Sequence, residues 1–192
     1  MPAPLDAVAW PVRTERLTLR PATPDDHRTT WRYRQLEDVG RWLTRAPRRL
    51  EDYRTQFEDP ATLARTIVIE LDGEVIGDLM VRIEDAWGQA EVADRVLGVQ
   101  AELGWTLDPG YAGRGYASEA VRALIRLCFT DLGLRRVTAG CFADNEPSWR
   151  LMERVGMRRE AHSRRDSLHR SGQWLDGMEY ALLAEEWPPP GG

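Results

Sequence analysis

One stretch of this 192-residue chain decides its fold: Glu102-Leu103-Gly104-Trp105-Thr106-Leu107-Asp108-Pro109-Gly110-Tyr111-Ala112-Gly113-Arg114-Gly115-Tyr116-Ala117-Ser118-Glu119-Ala120. The pattern predicts a strand over 102–107, a glycine-rich turn and then a helix. Small residues in the turn allow backbone N–H groups to point outward, and the helix behind it adds the positive end of its dipole. The stretch therefore predicts a receptor for a phosphate-bearing cofactor.

The residues that follow extend this pattern to a β-turn-α-β unit. Apolar residues recur at helical spacing from Ser118 to Leu132, and Gly133 then ends the predicted helix. The next strand is predicted at Val137 to Phe142, and strands connected through a helix in this way pair in parallel. The other predicted strands are 14–20, 66–71, 74–83, 157–165 and 177–183, and the other predicted helices are 23–35, 48–57 and 147–155.

The order of these elements predicts an α+β fold with a mixed, mostly antiparallel central sheet flanked by helices. Asp72-Gly73 between two β-prone runs is typical of a tight hairpin turn. The length favours a single domain, which we place at residues 13–187. Residues 1–12 and 188–192 contain several prolines and are expected to be flexible tails.

Composition excludes several functional classes. All 26 basic residues are arginine, 31 residues are acidic, and the net charge of -5 is unlike that of a general nucleic-acid binder. No apolar run approaches the roughly 20 residues of a membrane span, and we expect no signal peptide. Two cysteines do not make a disulfide framework. We therefore expect a cytoplasmic protein with neither nucleic acid nor membrane as a partner.

Three interpretations of the glycine turn are open from the residues alone. A P-loop is excluded because its signature needs a lysine and the chain has none. A dinucleotide-binding fingerprint needs a third glycine, whereas this turn has only Gly113 and Gly115. The third interpretation is a plain connector between a strand and a helix.

A family resemblance favours cofactor binding. Ala112-Gly113-Arg114-Gly115-Tyr116-Ala117 resembles the acetyl-CoA signature of the GNAT superfamily of N-acetyltransferases, Gln/Arg-x-x-Gly-x-Gly/Ala. Asn145 to Met157 resembles a later segment of the same family. Thr14 to Pro21 and Asp176 to Leu182 resemble the branch that contains the ribosomal-protein N-terminal acetyltransferases. One departure is Ala112, which stands where the family usually has Gln or Arg.

The resemblance implies a GNAT-like fold with a β-turn-α acetyl-CoA site where strand 102–107 splays from strand 137–142. Backbone amides of the turn would bind the pyrophosphate, and the edge of strand 102–107 would pair with the pantetheine amides. The residues assigned to cofactor binding are Thr106, Leu107, Ala112, Gly113, Arg114, Gly115, Tyr116, Ala117, Ser118, Asn145 and Ser148.

The implied reaction is direct attack of an amine on the thioester in a ternary complex. A backbone N–H near Leu107 would stabilise the developing oxyanion. The amine arrives protonated and must lose a proton, and Glu102 is the first candidate for the base because it shares a strand face with Gly104 and Thr106. The alternative is that Glu102 is a solvated rim residue.

The leaving thiolate needs little help, because a thiol with a pKa of about 8.5 is a fair leaving group. Many relatives supply a tyrosine as the acid, but Met152 occupies that place here. Ser148 or a water would then donate the proton, or no general acid is used. Helix capping is the alternative role for Asn145. His162 and His169 lack further ligands at metal spacing, so we expect no metal.

The sequence thus predicts an acetyl-CoA-dependent N-acetyltransferase that acts on a primary amine, such as a protein N-terminus. A small-molecule amine is the alternative acceptor, and a non-catalytic CoA-binding sensor is the alternative function. Loops 22–60, 84–100 and 166–176 would build the acceptor pocket, and they match no motif. A homodimer is left open.

Overall fold

The computed structural model of the chain describes residues 4–187. They divide into two compact units. The first holds the chain up to Val81 together with Gly104–Leu124, and the second holds Arg82–Leu103 and the chain from Ile125 onward. Among residues 4–187, no helix is both long and apolar enough to cross a membrane.

The first unit contains four antiparallel strands in sequence order. They are β1 (Val12–Arg13), β2 (Thr18–Pro21), β3 (Thr66–Leu71) and β4 (Glu74–Glu84), whose last three residues belong to the second unit. Asp72 and Gly73 connect β3 to β4 with φ angles of 52° and 85°. Positive φ at both turn residues suits the right-handed twist of the strands, so the predicted hairpin is confirmed.

The core of the first unit lies between this sheet and its helices. The helices are α1 (His27–Arg34), α2 (Glu37–Gly40), α3 (Leu50–Phe57) and α4 (Pro60–Leu63). The sheet contributes a row of fully buried aliphatic side chains that includes Leu19, Ile67, Ile69, Ile76 and Leu79. The hairpin and the two longer helices were predicted from the sequence, whereas α2 and α4, of four residues each, were not.

A buried polar network ties α1 to β4. The hydroxyl of Tyr33 donates to Asp78 Oδ2 at 2.7 Å, and Arg34 forms an ion pair with the same carboxylate. Tyr33 is fully buried, and burial, followed by the charge of Asp78, raises its pKa well above the usual value. Tyr53 on α3 makes a neutral hydrogen bond instead, donating to Thr30 Oγ1 at 2.8 Å.

These two tyrosines give a matched pair of stability predictions. Hydrogen bonds to charged groups are worth more than neutral ones, so we expect Tyr33→Phe to lower the free energy of unfolding by about 1.5–3 kcal/mol. Tyr53→Phe should lower it by about 0.5–1.5 kcal/mol. Urea denaturation measures both values. Equal losses would contradict the expectation that the hydrogen bond from Tyr33 to Asp78 is stronger than the neutral bond from Tyr53 to Thr30.

The second unit contains β5 (Gln100–Leu107, of which Gly104 onward lies in the first unit), β6 (Arg136–Phe142), β7 (Arg158–Leu168) and β8 (Trp174–Leu183). β5 and β6 pair in parallel from Gln100↔Arg136 to Glu102↔Thr138. β8 pairs antiparallel with both β6 and β7. The chain from β5 to β6 passes through α5 (Tyr116–Thr130), as predicted, and α6 (Glu146–Arg154) follows β6.

Two expectations about chain ends and loops need correction. The tail expected over residues 1–12 is ordered from Pro4, because Pro4–Ala7 form a 3-10 helix and the side chains of Leu5 and Val8 are buried. The tail expected at 188–192 lies outside the described residues. The loop expected at 166–176 is shorter, since β7 extends to Leu168 and β8 begins at Trp174. Cross-strand pairing extends both strands beyond their apolar residues.

Candidate active site

The turn after β5 is shaped by two glycines. Asp108 accepts a hydrogen bond from the Gly110 N–H at 2.9 Å, and a short 3-10 helix covers Pro109–Tyr111. Gly113 and Gly115 follow with φ angles of 75° and 82°. Only glycine adopts this region without strain, so the two glycines on either side of Arg114 are required by the backbone itself.

The amides that follow belong to the first turn of α5. The N–H of Glu119 donates to the Gly115 carbonyl at 3.0 Å. The amides of Tyr116 and Ala117 precede this bond and have no acceptor within the helix. They lie at the positive end of the helix dipole, where an anion is stabilised.

The glycine turn is exposed, and there is space around Gly113. A Cβ added to Gly113 would meet no atom within 4 Å, and residues Ala112 to Gly115 are exposed. The backbone at Gly113 is therefore open to a ligand. The exposed turn thus leaves room for a phosphate-bearing group beside its backbone amides, and phosphate binding there stays a prediction.

The strand residues assigned to the cofactor, Thr106 and Leu107, end β5. Thr106 is buried, and Leu107 is half-buried. A Cβ added to Gly77 of β4 would meet the Thr106 carbonyl oxygen at 2.6 Å, so the two backbones approach closely here. The carbonyl of Thr106 is therefore turned toward β4. The side chain of Ser118, also assigned to the cofactor, is buried in α5.

Asn145 and Ser148 stand at the beginning of α6. Asn145 occupies the N-cap position, but its side chain makes no capping hydrogen bond. The capping role that we considered as an alternative is therefore not seen. Ser148 hydrogen-bonds the thiol of Cys141, and burial raises the pKa of that thiol to about 11 despite the hydrogen bond. Cys141 is thus protonated near neutral pH.

Glu102 is not a freely solvated rim residue. Its Oε2 atom is buried and lies against the guanidinium of Arg82 in an ion pair. Arg82 also contacts Glu84 at 2.8 Å. The carboxylate of Glu102 is therefore held in a fixed position on β5.

A second carboxylate, Glu179, was not assigned any role from the sequence. It lies on β8 opposite Gly140 of β6, and a Cβ added to Gly140 would meet Glu179 Oε1 at 2.8 Å. The missing side chain at Gly140 thus lets the carboxylate lie over the backbone of β6. Burial raises the pKa of Glu179, and the charges of Glu102 and Asp166 raise it further.

Four polar side chains of the second unit form a chain of pairwise interactions. Glu102 and Glu179 repel each other, Glu179 also acts on Cys141, and Cys141 is bonded to Ser148. A carboxylate whose pKa is raised above its ordinary value is a stronger proton acceptor than an unperturbed one. Between residues 4 and 187, no group of three or more His, Cys, Asp or Glu side chains is arranged to hold a metal ion.

Comparison with known proteins identifies relatives of this chain. A family model described as an acetyltransferase (GNAT) domain matches residues 16–158. The uncharacterized N-acetyltransferase YnaD of Bacillus subtilis (strain 168) is 41% identical over 86 residues, which is 45% of this chain and 50% of that protein.

Two further relatives come from Escherichia coli (strain K12). The [ribosomal protein uS5]-alanine N-acetyltransferase is 31% identical over 87 residues, 45% of this chain and 44% of that protein. The L-amino acid N-acetyltransferase AaaT is 27% identical over 119 residues, 62% of this chain and 68% of that protein. The matches to YnaD and to the uS5 enzyme thus span half or less of those proteins.

Two solved structures resemble this chain over nearly its full length. A GNAT-family acetyltransferase from Bacillus anthracis has a TM-score of 0.77 and 30% identity, covering 91% of this chain and 99% of that chain. Mycobacterium smegmatis RimJ, in complex with CoA-disulfide, has a TM-score of 0.71 and 25% identity, covering 90% of this chain and 84% of that chain.

Proposed function

This chain belongs to the acetyltransferase (GNAT) domain family, and on that premise we propose that it transfers the acetyl group of acetyl-CoA to a primary amine. The predicted family and the predicted mixed α+β fold are confirmed. The observation that carries the proposal is the pair of left-handed glycines, Gly113 and Gly115, immediately before α5. We place the transferase domain at residues 13–187.

Each predicted cofactor residue has a role in this proposal. The turn from Ala112 to Ser118 binds phosphate oxygens through the backbone amides that follow Ala112, because the Ala112 N–H already donates to the Pro109 carbonyl at 3.1 Å. The end of β5 at Thr106 and Leu107 pairs with the amides of the pantetheine arm. Asn145 and Ser148, at the start of α6 in the second unit, are the polar side chains that we assign to the cofactor. Acetyl-CoA supplies an activated thioester. The complex of RimJ with CoA-disulfide supports coenzyme A as the ligand class.

The proton of the incoming ammonium group goes to a carboxylate of the second unit. We assign this role to the pair of Glu102 and Glu179. Glu102 is held by Arg82, whereas burial and the charge of Glu102 raise the pKa of Glu179, which makes Glu179 the stronger proton acceptor of the pair. The amide N–H of Leu107 stabilises the oxyanion. Met152 is fully buried and cannot donate a proton. Ser148 or water therefore protonates the leaving thiolate, or no general acid is used.

The acceptor that we propose is a protein N-terminus. The similarity to the uS5-alanine acetyltransferase and to RimJ supports this choice. The similarity to AaaT, an L-amino acid acetyltransferase, favours a small-molecule amine as the second candidate. The negative net charge is compatible with either kind of cationic amine.

An acceptor panel tests the proposed function. We expect thiol release from acetyl-CoA with peptides that have a free N-terminus. Peptides with a blocked N-terminus and one internal lysine should give no release above background, and free L-amino acids should give little. Turnover confined to the free amino acids would establish the small-molecule alternative. Acetyl-CoA binding without turnover on any acceptor would instead indicate a sensor.

Two further parts of the proposal concern the cellular location and the oligomeric state of the protein. We propose a cytoplasmic location, which the two free cysteines support because reducing compartments maintain free thiols. A homodimer is a separate proposal, and sedimentation of the purified chain over a range of concentrations tests it.

A further inference from the structure

The segment between β1 and β2 contacts the glycine turn although it is about a hundred residues away in sequence. Arg16 donates from Nε to Glu119 Oε2 at 2.7 Å, and its Nη1 donates to the carbonyl oxygen of Arg114 at 3.0 Å. The guanidinium lies 4.6 Å from the ring centroid of Tyr116. One side chain thus contacts both the turn and the first residues of α5.

Glu119 holds that side chain in place. Its Oε1 accepts hydrogen bonds from Thr14 Oγ1 at 2.6 Å and from the Arg16 backbone N–H at 2.9 Å. Burial acts to raise the pKa of Glu119, but the hydrogen bonds from Thr14 and Arg16 outweigh it and lower the pKa. The carboxylate therefore stays charged and keeps the guanidinium oriented at neutral pH.

The contact with the Arg114 carbonyl determines where a neighbouring N–H points. In a trans peptide the C=O and the following N–H lie in one plane and point in opposite directions. Fixing the Arg114 carbonyl toward Arg16 therefore directs the Gly115 N–H away from Arg16. Gly115 has a φ of 82° and no side chain to restrain this peptide plane. Arg16 supplies the restraint.

We infer that Arg16, held by Glu119, is a positioning residue that fixes the Gly115 amide for phosphate binding. The inference rests on the proposed function, because it takes the turn to be the phosphate site. The guanidinium that orients the turn comes from the segment between β1 and β2, 98 residues before Arg114 in the sequence.

The experiment compares two acetyl donors, acetyl-CoA and S-acetylpantetheine, which lacks the pyrophosphate. For Arg16→Gln we expect the KM for acetyl-CoA to rise about 10-fold or more, as for loss of a charge-assisted hydrogen bond. The KM for S-acetylpantetheine and the kcat at saturating acetyl-CoA should stay within about 2-fold of wild type. Arg16→Lys should recover only part of the loss, because an ammonium lacks the planar fork.

A matched control is Arg13→Gln, which removes the same charge from an exposed arginine that bonds Thr18 instead of the turn. It should leave both KM values unchanged. KM does not depend on the folded fraction, so partial unfolding of a variant does not hide the result. If Arg16→Gln raised the KM for both donors equally, or left the KM for acetyl-CoA unchanged, the inference would be overturned and the proposed function would stand. Failure of the wild-type chain to use acetyl-CoA would overturn both.

Discussion

Glu179→Gln is expected to lower kcat by about 10²- to 10⁴-fold near neutral pH, the usual worth of general-base assistance. The substitution keeps the shape of the side chain and removes the proton acceptor. Acetyl-CoA binding should be unchanged, because Glu179, on β8, is not among the residues that we assign to the cofactor. Steady-state kinetics and titration calorimetry measure the two quantities separately.

The dependence of turnover on pH provides a second test of Glu179 as the base. The base must be ionised, so turnover of the wild-type enzyme should rise with pH through the raised pKa of Glu179. Glu102→Gln removes one of the charges that raise that pKa. The acidic limb of the kcat profile should therefore move to lower pH in this variant, and its turnover near neutral pH should fall less than that of Glu179→Gln.

Glu160→Gln is a suitable control, because Glu160 pairs with Arg136 and Arg158 on the surface of β7. It should keep both the turnover and the pH profile of wild type. A larger loss in Glu102→Gln than in Glu179→Gln would return the base role to Glu102, as first predicted from its strand position. Normal turnover in both variants would mean that the amine reacts through its own neutral fraction.

The glycine turn could be predicted from the sequence because its signals are local. Two glycines separated by one residue, a preceding β-prone run and a following run with helical periodicity all lie within about thirty residues. The φ angles of Gly113 and Gly115 confirm the backbone requirement that made those glycines informative. The same reasoning explains why the Asp72-Gly73 hairpin was predicted.

The carboxylate pair could not be predicted in the same way, because it depends on strand register. Glu102 comes to Arg82 and Glu179 comes to Gly140 only once β4, β5, β6 and β8 have their actual alignment. A shift of one residue would place Glu179 on the opposite face. The segment Asp176 to Leu182 was singled out by resemblance, but its pattern gave no reason to prefer one acidic residue.

Long-range packing accounts for the remaining differences. Leu5 and Val8 are buried, although the sequence around them contains prolines and has no periodic pattern. The burial of these side chains therefore depends on tertiary packing and not on local propensity. The contact of Arg16 with Arg114 joins residues 98 positions apart. In the sequence, Arg16 stood out only because Thr14 to Pro21 resembles one branch of the family. That resemblance gave no role for the residue.

Gly115→Val should weaken acetyl-CoA binding by about 100-fold or more. A β-branched residue at a φ of 82° is strained by roughly 1–3 kcal/mol, and relief of that strain would rotate the backbone amides away from their present directions. The new Cβ would also lie 3.4 Å from the guanidinium of Arg16, close to the contact that orients the Arg114 peptide. Titration calorimetry with acetyl-CoA measures the loss.

Gly73→Val is the control for backbone strain outside the proposed phosphate site. Gly73 has a φ of 85°, nearly the same as Gly115, and a Cβ there would meet no atom within 4 Å. The two variants should therefore lose similar amounts of thermal stability, while only Gly115→Val loses affinity for acetyl-CoA. Wild-type affinity in Gly115→Val would reduce the turn to a connector between β5 and α5, the interpretation that the residues alone left open. Because every cofactor assignment from Ala112 to Ser118 depends on this backbone, that single affinity decides whether the phosphate site exists.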